Sequence, residues 1–229
     1  MIHENRVRII GTSHVSKESK ERIKEAFAEF KPDIICIELD NNRFQAISSP
    51  EKKRGTPSIR QLGMTGFLFA IIGRSLQKKM GNLTGMDPGE EMMLGATLAK
   101  HNNLRLELID QDAAITLRNM SKKVKFSEKM KIFLDVFRAP FSKKLRMSVQ
   151  IDIHKIPDEE VILKVMALMK DRYPGFYRVL LDDRNRYMSR KIYSLMKENP
   201  EKRVMAIVGA GHVDGMHKYL KSLMESNVY

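Results

Sequence analysis

RVRIIGTSHVSKES, residues 6–19, runs from a short apolar stretch into Gly-Thr-Ser-His, and RVMAIVGAGHVDGMHK, residues 203–218, does the same near the other end of the chain. Each reads as a buried β-strand that delivers a Gly-x-x-His turn at its C-terminal end. Between the two, SKESKERIKEAFAEFKP (16–32) carries Ile23, Ala26, Phe27 and Phe30 at helical spacing, with Ser16 or Ser19 as the cap and Pro32 as the stop. DIICIEL (33–39) is then a second short apolar strand. Strand, helix and strand within about 30 residues predict a parallel crossover. The fold class is therefore α/β, with a central mixed or largely parallel sheet flanked by helices. The two Val-rich runs are expected to be inner strands of that sheet.

The pattern continues downstream. Pro50, Gly55 and Pro57 mark residues 41–60 as a polar loop or short helices. LGMTGFLFAIIGRSLQKKMG (62–81) is an apolar helix candidate, too short and too soon basic for a membrane span. DPGEEMMLGATLAKHNN (87–103) reads as a helix, LRLELID (104–110) as a third strand, and DAAITLRNM as the start of another helix. Residues 118–148 are strongly basic and broken by Pro140, which suggests a helical insertion or lid. Two further helices follow, then the strand RVMAIVG, with a short terminal helix expected after GHVDG.

Composition narrows the classes. With 42% hydrophobic and 30% charged residues, 229 residues suffice for a substantial core. The 16 methionines fall mostly at helical spacing, which points to core filling. One cysteine, Cys36, leaves no internal disulfide and reads as a small buried residue. A net charge of +13 permits acidic partners. Aromatics are only 7% and no nucleic-acid-reading motif accompanies the basic run, so nucleic acid is not the expected partner. The charged start MIHENR shows no signal peptide, and cytoplasmic placement is expected, with peripheral membrane association open. The P-loop, the dinucleotide fingerprint, His-Glu-x-x-His and the Gly-x-Ser-x-Gly elbow are all absent.

In a parallel sheet, sites form beyond the C-terminal ends of the strands. His14, Glu38, Asp40, Asp110 and His212 all fall at such ends. Gly11, Gly209 and Gly211 would permit tight turns and close backbone approach. Imidazole and carboxylate suit zinc, manganese or iron. CIELDNNR also places Arg43 beside Glu38 and Asp40, where strand-end capping and a surface ion pair are the plainer uses. Glu90, in PGEEM, is expected in the first turn of a helix. Arg184, in LLDDRNRYMSRKI with Asp183 and Arg190, either pairs with a site carboxylate, holds a substrate carboxylate, or belongs to a solvated face. His217 reads as a surface helix residue; His3, His101 and His154 have no supporting pattern.

Taken in order, GTSHVS, CIELDNNR, DPGEEM…GATLAKHNNLRLELIDQD, LLDDRNRYMSRKI and AIVGAGHVDGM resemble the TraB/PrgY/GumN family over nearly the whole chain, above all its archaeal TraB-like domain. The resemblance implies one domain over 1–229, within which the basic, Pro-broken character of the chain sets the expected helical insertion at 112–175. Tiki-like relatives are metal-dependent proteases whose site uses paired Gly-x-x-His motifs and a glutamate. Carried onto this chain, that implies His14, His212 and Glu38 at the site, with Glu90 as a second carboxylate; in the hydrolase this suggests, His14, His212 and Glu38 are expected to hold the ion, Glu38 or Glu90 to accept a proton from water, and Arg184 to stabilise an oxyanion or position a carboxylate. The implied cofactor is a divalent ion such as zinc, manganese or cobalt, and the implied substrate a peptide or small protein. PrgY-like relatives limit peptide-pheromone activity, so a non-catalytic peptide-binding domain is the alternative. The layer formed by 62–81 and 118–148 is expected to serve self-association as a homodimer, with peripheral membrane contact as another use. Many members carry hydrophobic segments after this domain; here the sequence ends at YLKSLMESNVY.

Overall fold

The computed structural model describes residues 4–12, 17–48, 89–138 and 159–226. Four strands form one all-parallel sheet: β1 (Val7–Thr12), β2 (Ile34–Ile37), β3 (Arg105–Leu108) and β4 (Val204–Gly209), in the order β1-β4-β2-β3. The last strand is thus inserted between the first two. Every residue of β2 and β4 is buried, as expected for strands covered on both faces. Contrary to the expectation that both Val-rich runs are inner strands, β1 lies at an edge among the described strands. Its composition suits that place: Arg8 is partly exposed, pairs with Glu29 at 2.6 Å and lies over the Phe30 ring.

Helices cover both faces. Side chains alternate along a strand, so Ile35, Ile37, Met205 and Ile207 face one side. There they meet Ile23, Ala26 and Phe30 of α1 (Lys17–Phe30) and Met92, Ala96 and Ala99 of α3 (Glu90–His101). Ile34, Cys36, Val204, Ala206 and Val208 face the other side. They pack on Met188, Ile192, Leu195 and Met196 of α8 (Asp183–Glu198) and on Met216 and Leu220 of α9 (Ala210–Glu225). Each fully buried Ile or Met of this kind contributes about 1.5–3 kcal/mol relative to exposure. The sheet core is therefore the main source of stability. Burial also pushes the Cys36 thiol pKa up, in keeping with a core side chain.

The helix ends follow local chemistry. Lys31, at φ 48°, and Pro32 terminate α1. Asp40 caps α2 (Asn41–Ser48), its Oδ1 accepting from the backbone N–H groups of Asn42 at 2.8 Å and Arg43 at 2.9 Å. Asp112 caps α4 (Ala113–Lys123) through Ala114. The described part of 112–175 is helical: α4, α5 (Phe126–Arg138), α6 (Glu159–Arg172) and the single turn α7 (Pro174–Tyr177). A π-helical turn, Arg178–Asp182, joins α7 to α8. The terminal helix corrects another expectation. It begins at Ala210 and runs 16 residues, so GHVDG lies inside its first turns. Residues 62–81, His3, His14 and His154 lie outside the described residues.

Candidate functional site

Beyond the C-terminal ends of β2 and β4 a group of polar side chains is buried together. Glu38 leaves β2 one residue past the last ladder pair, on the side of the sheet that carries α8 and α9. Its Oε2 accepts the Gly209 backbone N–H at 2.6 Å. Its Oε1 receives a very short bond from Arg184 and lies 3.2 Å from His212 Nε2. His212 sits in the first turn of α9, and its Nδ1 donates to Asn185 Oδ1 at 2.6 Å. A carbonyl oxygen can only accept, so this bond puts the hydrogen on Nδ1. Two acceptors, Nε2 and Oε1, then face each other, an arrangement that calls for a proton or a cation between them.

Arg184 is the hub. Its Nε and one terminal nitrogen grip Asp110, from the end of β3, at 2.9 and 2.8 Å. The same terminal nitrogen reaches Glu38, and the third nitrogen donates to the Leu180 carbonyl at 3.3 Å. The side chain is only 14% exposed, against 6% for Glu38 and 3% for Asp110. Burial alone would lower the guanidinium pKa; the Glu38 and Asp110 carboxylates outweigh it and raise it. Arg43 adds a second cation, 3.2 Å from Asp110, with its outer side exposed. Two carboxylates and two guanidiniums thus form a balanced buried ladder, with Asn185 holding the histidine beside it.

Two glycines make the arrangement possible. A Cβ on Gly215 would stand 2.1 Å from Asn185 Nδ2, so the amide that orients His212 occupies the room a side chain would take. A Cβ on Gly11 would press on Val213 at 2.8 Å and on the Ala210 backbone at 3.3 Å. Gly11 therefore serves the approach of α9 to β1.

The sequence candidates separate here. Glu38, Arg184 and His212 converge. His14 falls outside the described residues; β1 and β4 pair up to Thr12 opposite Gly209, so these two strands end side by side. Glu90 turns its carboxylate to Lys20 of α1 at 2.5 Å on a half-exposed flank. Asp40 serves as a cap, Asp183 pairs with Lys123 at 2.8 Å, and Arg190, His101 and His217 are exposed. Sequence reasoning did not find Asn185, which carries no charge pattern, or that the Gly209 amide binds Glu38. It also passed over Glu91, which is fully buried.

The donor chemistry can be tested against a divalent ion. Two donors each about 2.1 Å from one ion stand about 3.0–3.4 Å apart for bond angles between about 90° and 110°. The 3.2 Å between Nε2 and Oε1 fits two such positions, and a histidine fixed through its other nitrogen is the usual form of a metal-binding imidazole. Among the described residues, no group of three or more His, Cys, Asp or Glu completes such a centre.

Comparison with known proteins adds kinship. A family model described as the TraB/PrgY/gumN family matches residues 2–228. An uncharacterized protein of Methanocaldococcus jannaschii is 35% identical over 99% of this chain and 56% of its own length. TraB domain-containing proteins of mouse and human are 23% and 22% identical, each over 93% of this chain and 62% of theirs. The chain thus spans little more than half the length of these relatives.

Proposed function

Because the chain belongs to the TraB/PrgY/gumN family, and because Glu38 and His212 present two acceptors to one point, we propose that it is a metal-dependent hydrolase acting on peptides. His212 Nε2 and Glu38 Oε1 would hold the ion, with His14 as the further ligand the family resemblance implies. When bound, the ion polarises a carbonyl and lowers the pKa of a bound water. Asn185 fixes the imidazole ring so that Nε2 stays turned to the edge of the sheet. Arg184 and the Gly209 amide hold Glu38 in one orientation, so its donor atom need not be ordered when a ligand arrives. All three nitrogens of Arg184 are engaged, which makes it a positioning residue; Arg43, with its outer face in solvent, is the cation available to a substrate carboxylate. The observation that carries the reading is the 3.2 Å approach of Nε2 and Oε1.

The test is a peptide library incubated with zinc, manganese or cobalt. Turnover is expected in wild type and lost in His14→Ala and His212→Ala. Equal turnover in all three proteins removes the assignment.

A second reading, a peptide-binding domain without turnover, draws on a groove of about 500 Å³ lined by Phe126, Met130, Lys131, Leu134 and Arg172. Phe126 and Met130 are exposed there. Peptide binding that persists in metal chelator with no cleavage product favours it. Homodimer formation through this helical layer and cytoplasmic placement belong to the same proposal, and mass measurement in dilute solution tests the dimer. Among the described residues, no helix is long and apolar enough to cross a membrane.

A further inference from the structure

Arg43 is a cation at the sheet edge whose donors are only partly used. It stands in the first turn of α2, and its Nη1 donates to Asp110 Oδ2 at 3.2 Å. Among the described residues, its Nε and its other terminal nitrogen have no partner. Those two nitrogens are the side-on pair of the guanidinium, whose spacing matches the two oxygens of a carboxylate. The side chain is 40% exposed, against 14% for Arg184, whose three nitrogens are all engaged. The bond that Arg43 does make is the longer one on its oxygen. Arg184 grips both Asp110 oxygens, at 2.9 and 2.8 Å, so Arg43 is a second cation on an oxygen already taken. Asp40 does not use the guanidinium either; its Oδ1 takes the backbone N–H groups of Asn42 and Arg43.

The span from Arg43 to the Glu38–His212 pair is bounded. Arg43 Nη1, Asp110 Oδ2, Arg184 Nη2 and Glu38 Oε1 are joined by three successive contacts, so the two ends are at most about 9 Å apart. Strand spacing agrees. β4, β2 and β3 are neighbours in the sheet, so the ends that carry His212, Glu38 and Asp110 succeed one another at about 4.8 Å. An extended peptide advances about 3.3 Å per residue. A peptide whose carbonyl lies at the Glu38–His212 pair therefore sets its terminal carboxylate on Arg43 when one or two residues follow that carbonyl. We infer that Arg43 anchors the C-terminal carboxylate of the substrate, and that the substrate class is peptides with a free C-terminus, from which one or two residues are released. In that release the peptide C–N bond breaks; water gives its hydroxyl to the carbonyl carbon and its proton to the leaving amine. The cleavage rests on the hydrolase reading; the anchoring does not require it.

The experiment measures binding of N-terminally fluorescein-labelled tetrapeptides to the full chain by fluorescence anisotropy, in metal chelator, for wild type, Arg43→Gln and Arg43→Lys. Three peptide mixtures are compared: uncharged side chains with a free C-terminal carboxylate, the same with a C-terminal amide, and amides with Glu as the last residue. Wild type should prefer the free acid to the plain amide by about tenfold, the lower end for a hydrogen-bonded charge because Arg43 is half-exposed. Arg43→Gln should lose that preference and Arg43→Lys should keep part of it. Acid and amide are compared on the same protein sample, so any loss of folded protein lowers both alike. No binding of any mixture, no preference in wild type, a preference retained in Arg43→Gln, or Glu-ended amides that bind as well as the free acid would each overturn the inference. Mass spectrometry after adding zinc, manganese or cobalt then separates the two readings. Acid-selective binding with no product keeps Arg43 and removes the hydrolase. Cleavage that ignores the end group, in wild type and Arg43→Gln alike, keeps the hydrolase and removes Arg43.

Discussion

Replacing Arg184 by Met tests how the buried ladder is held together. The change keeps a long side chain and deletes a cation that, among the described residues, pairs with both Glu38 and Asp110. Glu38 would keep the Gly209 amide, and Asp110 would keep Arg43 at 3.2 Å and the Gln111 backbone N–H at 2.8 Å. Neither carboxylate can reach water freely, at 6% and 3% exposure. Removing one partner of a buried ion pair costs about 3–5 kcal/mol, and for a chain of this size that lowers Tm by about 6–20 °C. The wild-type contribution should also be flat in pH. The Arg184 pKa is raised in the fold, so its contribution is complete below the ordinary guanidinium value of the unfolded chain and is lost only as pH rises through the higher folded one. That window lies above any pH at which the protein would be assayed. The assay is urea unfolding followed by circular dichroism for wild type, Arg184→Met, Glu38→Gln and the double variant. The double variant should be less destabilised than the sum of the singles, by about 0.5–3 kcal/mol, because removing one carboxylate relieves part of the imbalance. A loss below about 1 kcal/mol for Arg184→Met, or strict additivity, would refute the ladder as an energetic unit.

Two further perturbations follow from the geometry. Gly215→Ala places a methyl where Asn185 Nδ2 now lies; it should cost about 1–3 kcal/mol as overpacking and shift the His212 imidazole resonances in NMR, whereas unchanged resonances would mean that Asn185 does not orient the ring. Asp135 has a lowered pKa: burial pushes it up, but hydrogen bonds from Tyr173 and Arg172 and the Arg172 charge more than reverse that. Its stabilisation is therefore present above the unfolded carboxylate value of about 3.9 and is lost as pH falls through the lower folded value. Asp135→Asn should melt below wild type at pH 7, with the gap closing in acid; a gap that stays constant to pH 2 would contradict the sign.

Much of the frame is legible in the chain itself. Short apolar runs mark all four strands, and a parallel sheet necessarily brings their ends to one edge, which is why Glu38, Asp110 and His212 could be grouped before any coordinates. Strand order was not legible, because a crossover does not state which neighbour it seeks; two similar Val-rich runs became one edge strand and one inner strand. Glu90 and Glu91 show a finer limit. They are adjacent in sequence but about 100° apart around the helix, so one meets Lys20 at the flank and the other enters the protein. The residues that fix the phase, Met92, Ala96 and Ala99, were visible as apolar, yet their pattern identifies a buried face without saying that a carboxylate shares it. Asn185 gave no signal because an amide next to an arginine looks like any polar helix position.

The π-helical turn explains how Arg184 and Asn185 come to share the edge with His212. Phe176 just before it and Val179 and Leu180 within it pack with Leu117, Met120 and Val124 at and just beyond α4. Downstream, Met188, Ile192, Leu195 and Met196 pack on the sheet. A regular helix with 3.6 residues per turn presents one continuous stripe, and two partners set at different angles would each see it out of phase. Inserting one residue, as the turn at Arg178–Asp182 does, rotates the remainder by about 100° and lets one rod serve both. The first residues after the rotation include Arg184 and Asn185, and these are the ones that seize Glu38, Asp110 and His212. The irregularity therefore lies at the junction between the helical region and the sheet, where the side chains that hold the site begin.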